Sequence, residues 1–127
     1  MKMTAVLTAP LKTSLTGVAA PEIKTSAAGD PGVYAPGDVL AGALASCTAS
    51  MISYTAKSRG FDPGAVKVEV DYTMSMSPHR IGSFAVTVTG AKPLDTKSQK
   101  ILEGAAKSCP VKASLNPEIP VTLAFNW

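Results

Sequence analysis

The sequence predicts an α+β fold, an antiparallel sheet with a long buried central helix and a second helix. Three observations carry this. The run from Val39 to Ala56 holds no charged residue and is dominated by Ala, Ser, Thr and Gly, the composition of a helix packed closely on all sides. Residues 66 to 77 alternate strictly, with Val66, Val68, Val70, Tyr72, Met74 and Met76 on one side and Lys67, Glu69, Asp71, Thr73, Ser75 and Ser77 on the other; this is a strand with one buried and one wet face. In the segment from Asp95 to Ser108, Ile101, Leu102, Ala105 and Ala106 form an apolar stripe at helical spacing. The length of 127 residues suits one domain, residues 1–127.

The elements follow in order. Thr4 to Thr8 reads as a strand ending at Pro10, and Leu11 to Val18 as another, closed by Gly17. Residues 27 to 32 are a loop by their Gly, Asp and Pro content. Asp38 is the expected N-cap of the central helix, where its carboxylate suits the positive end of the helix dipole. Gly60 is its expected stop, with Lys57 and Arg59 in the last turn. Leu40, Leu44, Cys47, Met51 and Tyr54 recur at spacings of four, three, four and three, a single face with Cys47 at its centre. This run meets the lower length limit of a membrane span, but large aliphatics are few and no second span follows, which favours a soluble buried helix and no membrane partner. Pro78-His79-Arg80 makes a turn, and Ile81 to Thr89 returns as a strand with Phe84, Val86 and Val88 on its buried face. Cys109 continues the stripe of the second helix. Pro110 cannot continue the hydrogen-bond ladder but can open a short helix over Val111 to Leu115. Val121 to Phe125 is the last strand.

The net charge of +3 comes from lysines and arginines scattered singly along the chain, without the basic runs or aromatic interleaving of a nucleic-acid surface. The N-terminus has one early lysine and an apolar run too short for a signal peptide. The expected compartment is the cytoplasm, where thiols stay reduced.

Two cysteines, Cys47 and Cys109, are then the chemistry to explain. Four readings stand open: inert core filler, a structural disulfide, which a reducing compartment disfavours, a metal pair, and redox or nucleophilic chemistry. A metal would need more ligands, and His79 is the only histidine with no Cys-x-x-Cys in the chain. Cys–His catalysis would have to use His79, in a polar turn. A reactive Cys47 among alanines needs a cation or oriented dipoles, because apolar burial disfavours the thiolate.

The stretch Pro36-Gly37-Asp38-Val39-Leu40-Ala41-Gly42-Ala43-Leu44-Ala45-Ser46-Cys47-Thr48-Ala49 resembles the central-helix motif of the OsmC/Ohr family. Ser108-Cys109-Pro110-Val111-Lys112-Ala113-Ser114-Leu115 is similar to its second motif, and Pro78-His79-Arg80-Ile81 to its hairpin. The resemblance spans roughly residues 36 to 127, and residues 1 to 35 match weakly. It implies an intertwined homodimer without cofactor or metal. The implied activity is a thiol peroxidase acting on organic hydroperoxides, with Cys47 peroxidatic and Cys109 resolving, regenerated by an external dithiol such as a lipoylated protein. The family commonly has a glutamate near the start of the central helix, where this chain has Asp38. Its better-studied members use an arginine upstream of the first cysteine to stabilise the thiolate. Here no arginine precedes Arg59, so Lys24, and after it Arg80, are the candidate activating cations. The alternative readings are a non-enzymatic binder of small apolar molecules on the same fold and a cysteine-dependent reaction on another electrophile.

Overall fold

The computed structural model describes residues 2–17 and 21–127. It contains, in order, β1 (Thr4–Ala9), β2 (Lys12–Thr16), β3 (Ile23–Ser26), α1 (Pro36–Arg59), β4 (Lys67–Met76), β5 (His79–Thr89), α2 (Thr96–Lys107), α3 (Pro110–Ala113) and β6 (Val121–Asn126). The chain forms two compact units, 1–40 and 41–127.

In the first unit β1, β2 and β3 make an antiparallel sheet in that order. β1 and β2 match the two expected strands, except that Val18 lies outside the described residues. β3 was not expected: it is a four-residue edge strand carrying Lys24 among polar neighbours, too short and too polar for an alternation to show.

α1 stops as expected, with Gly60 at φ 78°, the left-handed conformation that ends helices and favours glycine. Its start corrects the expectation. Pro36 occupies the first helical position, Ala35 is the residue before it, and the Asp38 carboxylate reaches back to accept a 2.7 Å hydrogen bond from the Ala35 N–H. Asp38 is thus the third helical residue, the reciprocal partner of a capping box, and not the N-cap. Pro36 suits that first position because its missing N–H has no partner there anyway. Asp38→Ala should cost about 1 kcal/mol of stability by loss of this bond, read as a lower thermal midpoint.

The buried face of α1 also differs from the expected one. Ala41, Leu44, Thr48, Ile52 and Ala56 are buried, whereas Leu40 and Tyr54 are exposed and Cys47 and Met51 only half-buried. A strict four-residue step is longer than a helical turn, so the buried row drifts obliquely across the helix and places Cys47 on its rim. Only 28% of the apolar window of α1 is buried in the single chain. The helix is long and apolar enough to cross a membrane by length and composition alone.

In the second unit β4 pairs antiparallel with β5, and β6 pairs parallel with β5. The sheet is therefore mixed where an antiparallel one was expected. Direction is absent from an apolar pattern; the crossover through α2 and α3 is what a parallel neighbour requires. β5 is the central strand, and Phe84, Val86 and Val88 are buried as expected. They join Ala41, Leu44, Ile52, Ala56, Leu102, Ala106 and Cys109 in one core.

β4 keeps its expected alternation only to Tyr72. A bulge between Thr73 and Met74 shifts the register, and beyond it Ser75 is half-buried while Met74 and Met76 are exposed. One extra residue in one strand turns every later side chain to the other face. α2 fits the sequence closely: Asp95 is its N-cap, accepting from the Ser98 N–H at 2.8 Å, and Leu102, Ala105 and Ala106 are buried. The Ser98 hydroxyl and N–H hold the Asp95 carboxyl below its usual value. A depressed carboxylate stabilises the fold above its unfolded value and ceases to do so as pH falls through the folded one, so this cap weakens only in acid.

Candidate active site

The site is built where two helix ends meet the middle of a third. Cys47 sits halfway along α1, half-buried, packed on the core cluster that contains Cys109. Cys109 is completely buried and lies between α2 and α3. α2 ends at Lys107, with Ser108 as its cap. Pro110 then opens α3 at its first position, which makes Cys109 the N-cap of α3. The short helix thus leaves the N–H groups of Val111 and Lys112 without intrahelical partners beside the Cys109 sulfur.

The two cysteines pack on one core, and each thiol acts on the ionisation of the other. Both are free. Their environments push them apart. For Cys47, the Cys109 thiol acts most strongly and drives its pKa up; the Val111 N–H opposes this, and partial burial adds to the rise. For Cys109, burial is the largest single influence and opposes ionisation. It is outweighed by the Cys47 thiol, the Lys112 N–H, the Thr48 hydroxyl and the Val111 N–H, so the net shift is downward. Cys109 makes no side-chain capping bond.

Thr48, beside Cys47 in sequence, is buried, and its hydroxyl donates to the Leu44 carbonyl at 2.8 Å. Neither Thr48 nor the α3 amides was singled out from the sequence. The cue for the amides was present: a proline directly after a cysteine marks a helix start and makes that cysteine the cap.

Asp38 is engaged at the start of α1. Arg80, half-buried at the start of β5, pairs with Glu118 at 3.2 Å and is not among the groups that shift either thiol. Lys24 is exposed on β3 in the first unit, opposite Ser14. Among the described residues no cluster of three or more His, Cys, Asp or Glu side chains suits a metal. Two grooves of the second unit, one lined by Ser50, Ser53, Lys57 and Phe61 and the other by Lys112, Leu115, Asn116 and Val121, include neither cysteine.

Comparison with known proteins gives the frame for this geometry. The family model for OsmC-like proteins matches residues 29–124. Among curated proteins, none matches the sequence. Among solved structures, a protein from Psychrobacter arcticus named for osmotic stress induction and a detoxification response is 29% identical, with TM-score 0.91 over 99% of this chain and 96% of that one. An organic hydroperoxide resistance protein OsmC from Legionella pneumophila is 14% identical, with TM-score 0.77 over 100% and 98%. The organic hydroperoxide resistance protein OhrB of Bacillus subtilis is 20% identical, with TM-score 0.71 over 98% and 96%. The last two are likenesses of fold.

Proposed function

Since the chain belongs to the OsmC-like family, we propose that it is a thiol-dependent peroxidase that reduces organic hydroperoxides in the cytoplasm. The single observation that carries this reading is that the only two cysteines of the sequence, sixty-two positions apart (47 and 109), pack on one core and act on one another. Cys47 is the less buried member and is the one a peroxide reaches. Its sulfur attacks the distal oxygen, the O–O bond breaks, and an alcohol leaves. Cys109 then attacks the Cys47 sulfenic acid, the S–O bond breaks with loss of hydroxide, and a disulfide forms. An external dithiol, of the kind carried by lipoylated proteins, reduces that disulfide to two thiols and is itself oxidised to a disulfide.

The reading includes a homodimer. The uncovered length of α1, with Tyr54 at 73% exposure, and the exposed Met74 and Met76 of the hairpin form the kind of apolar surface that a second subunit covers. Light scattering at micromolar concentration should return twice the chain mass; a stable folded monomer contradicts the dimer.

The runner-up, a binder of small apolar molecules that uses the cysteines as lining, is favoured by one observation, the raised pKa of Cys47. A coupled assay separates the two. The peroxidase consumes cumene hydroperoxide repeatedly in the presence of dihydrolipoamide, and the binder consumes none.

A further inference from the structure

The lysines are scattered along the sequence, but α2 gathers three of them. Lys97, Lys100 and Lys107 are all exposed; at 3.6 residues per turn they fall within about 80° of arc and about 15 Å of helix length. Leu102, Ala105 and Ala106 are buried on the other side of the helix. Helical spacing puts one further exposed residue, Gly104, on the lysine face between Lys100 and Lys107. The single carboxylate of α2, Glu103, is half-buried and accepts the Trp127 indole N–H at 3.1 Å. Among the described residues none of the three lysines is in an ion pair. Lys97 acts on the Asp95 cap, as the weakest of the influences on that carboxyl. Helix stability explains little of this face. Lys97 stands in the first turn, at the positive end of the dipole, where a cation is disfavoured. Lys97 and Lys100 are like charges one turn apart. Gly104 is a poor helix former inside a helix, and no packing within the chain requires it: a Cβ added there meets nothing within 4 Å outside its own stretch of helix. Three choices that work against the helix thus coincide on one face, as is expected where a surface serves a function.

We propose that the face formed by Lys97, Lys100, Gly104 and Lys107 is the docking surface for the protein that reduces the Cys47–Cys109 disulfide, an acidic protein that carries its dithiol on a flexible side-chain arm. This rests on the peroxidase reading, whose disulfide needs an external dithiol. The lysines set the sign of the partner's surface, and their spacing matches a row of carboxylates about 15 Å long. Gly104 leaves a gap between them in which the partner can approach the helix backbone. The arm follows from the position of the face. The lysines lie across α2 from its core side, a helix diameter of about 10–12 Å away, and α2 runs through its cap Ser108 directly into Cys109. A partner whose body rests on the lysines stays outside the core, and only a slender arm can pass the end of α2 to the Cys47 sulfur. A lipoylated lysine is such an arm. A nucleic acid or an anionic membrane matches the charge but brings no dithiol.

The test compares two reductants of the oxidised protein, free dihydrolipoamide and a reduced lipoylated domain of net negative charge. The proteins are the wild type, a triple variant (Lys97→Glu, Lys100→Glu, Lys107→Glu) and Gly104→Gln. At low ionic strength the triple variant should lose about tenfold or more in its second-order rate with the domain, within the span of electrostatic steering, and nothing with dihydrolipoamide. Added salt should slow the wild type towards the variant. Gly104→Gln should melt at a higher temperature than the wild type, because glutamine is the better helix former, and still react more slowly with the domain; a purely structural face cannot give that combination. Equal losses with both reductants, or no loss with either, overturn the proposal. Fluorescence anisotropy of the labelled domain, titrated with reduced protein, separates the surface from the reading beneath it. Wild-type binding that the triple variant lacks, in a protein that consumes no hydroperoxide, upholds the surface and refutes the peroxidase. Hydroperoxide turnover with equal binding by wild type and variant refutes the surface alone. Duplex DNA or phosphatidylglycerol vesicles bound as tightly as the domain at the same salt also overturn the proposal, since the face then selects charge and not a protein.

Discussion

Cys47→Ser is expected to abolish hydroperoxide consumption, whereas Cys109→Ser is expected to consume one equivalent per chain and then stop. The asymmetry follows from exposure. Cys47 is half-buried on the rim of α1 and Cys109 is fully buried, so only the first sulfur can meet a bulky peroxide. A serine hydroxyl at position 47 has no accessible anion to attack with at neutral pH, and the loss is complete within the sensitivity of the assay. A serine at position 109 leaves the first oxidation intact in kind but removes the thiolate that resolves it. Cys47 then waits as sulfenic acid, open to a mixed disulfide or to further oxidation. Stoichiometric and catalytic peroxide consumption, measured with and without dithiol, check both outcomes. If Cys109→Ser alone prevents even the first equivalent, the roles of the two cysteines are exchanged.

The largest expected effect on stability belongs to Phe84→Ala. Phe84 is 1% exposed and the largest of the fully buried side chains. It stands on the central strand of the mixed sheet, opposite Tyr72 on one side and Val121 on the other, and its ring lies 6.3 Å from that of Tyr72. Removing the ring forfeits its burial and leaves a cavity bounded by a strand that is hydrogen-bonded on both edges and cannot collapse inward. The cost should be about 3–5 kcal/mol, a large part of the 5–15 kcal/mol or so that holds a domain of this kind together. Denaturant unfolding of the variant at unchanged slope checks the figure. The site itself is affected indirectly, because Phe84 shares its core with Cys109.

The sequence shows the elements better than it shows their relations. Gly60 and the Phe84, Val86, Val88 row are local signals, set by backbone freedom and a period of two, and the structure has each where the sequence places it. The flip of Met74 and Met76 to the open face depends on one extra residue in the partner strand, Gly82 of β5, for which the unbroken alternation of β4 gives no sign. The parallel pairing of β6 is likewise invisible in Val121 to Phe125, because a buried strand reads the same in either direction. For the site, the pair of cysteines was legible from their motifs, but the source of charge stabilisation was not. A search for a cation led to Lys24 and Arg80, while the donors that act on Cys109 include the backbone amides of Val111 and Lys112. Backbone N–H groups are the same in every sequence; only the helix start that exposes them can be read, from Pro110.

The central claim is that Cys47 and Cys109 form one redox couple. The most direct measurement is the mass of the reduced protein before and after one equivalent of an organic hydroperoxide, with peptide mapping of the product. The account predicts the loss of two hydrogens per chain and a cross-linked peptide joining Cys47 to Cys109 within the same chain. An unchanged mass, or oxygen added at Cys47 with Cys109 still a free thiol, contradicts it.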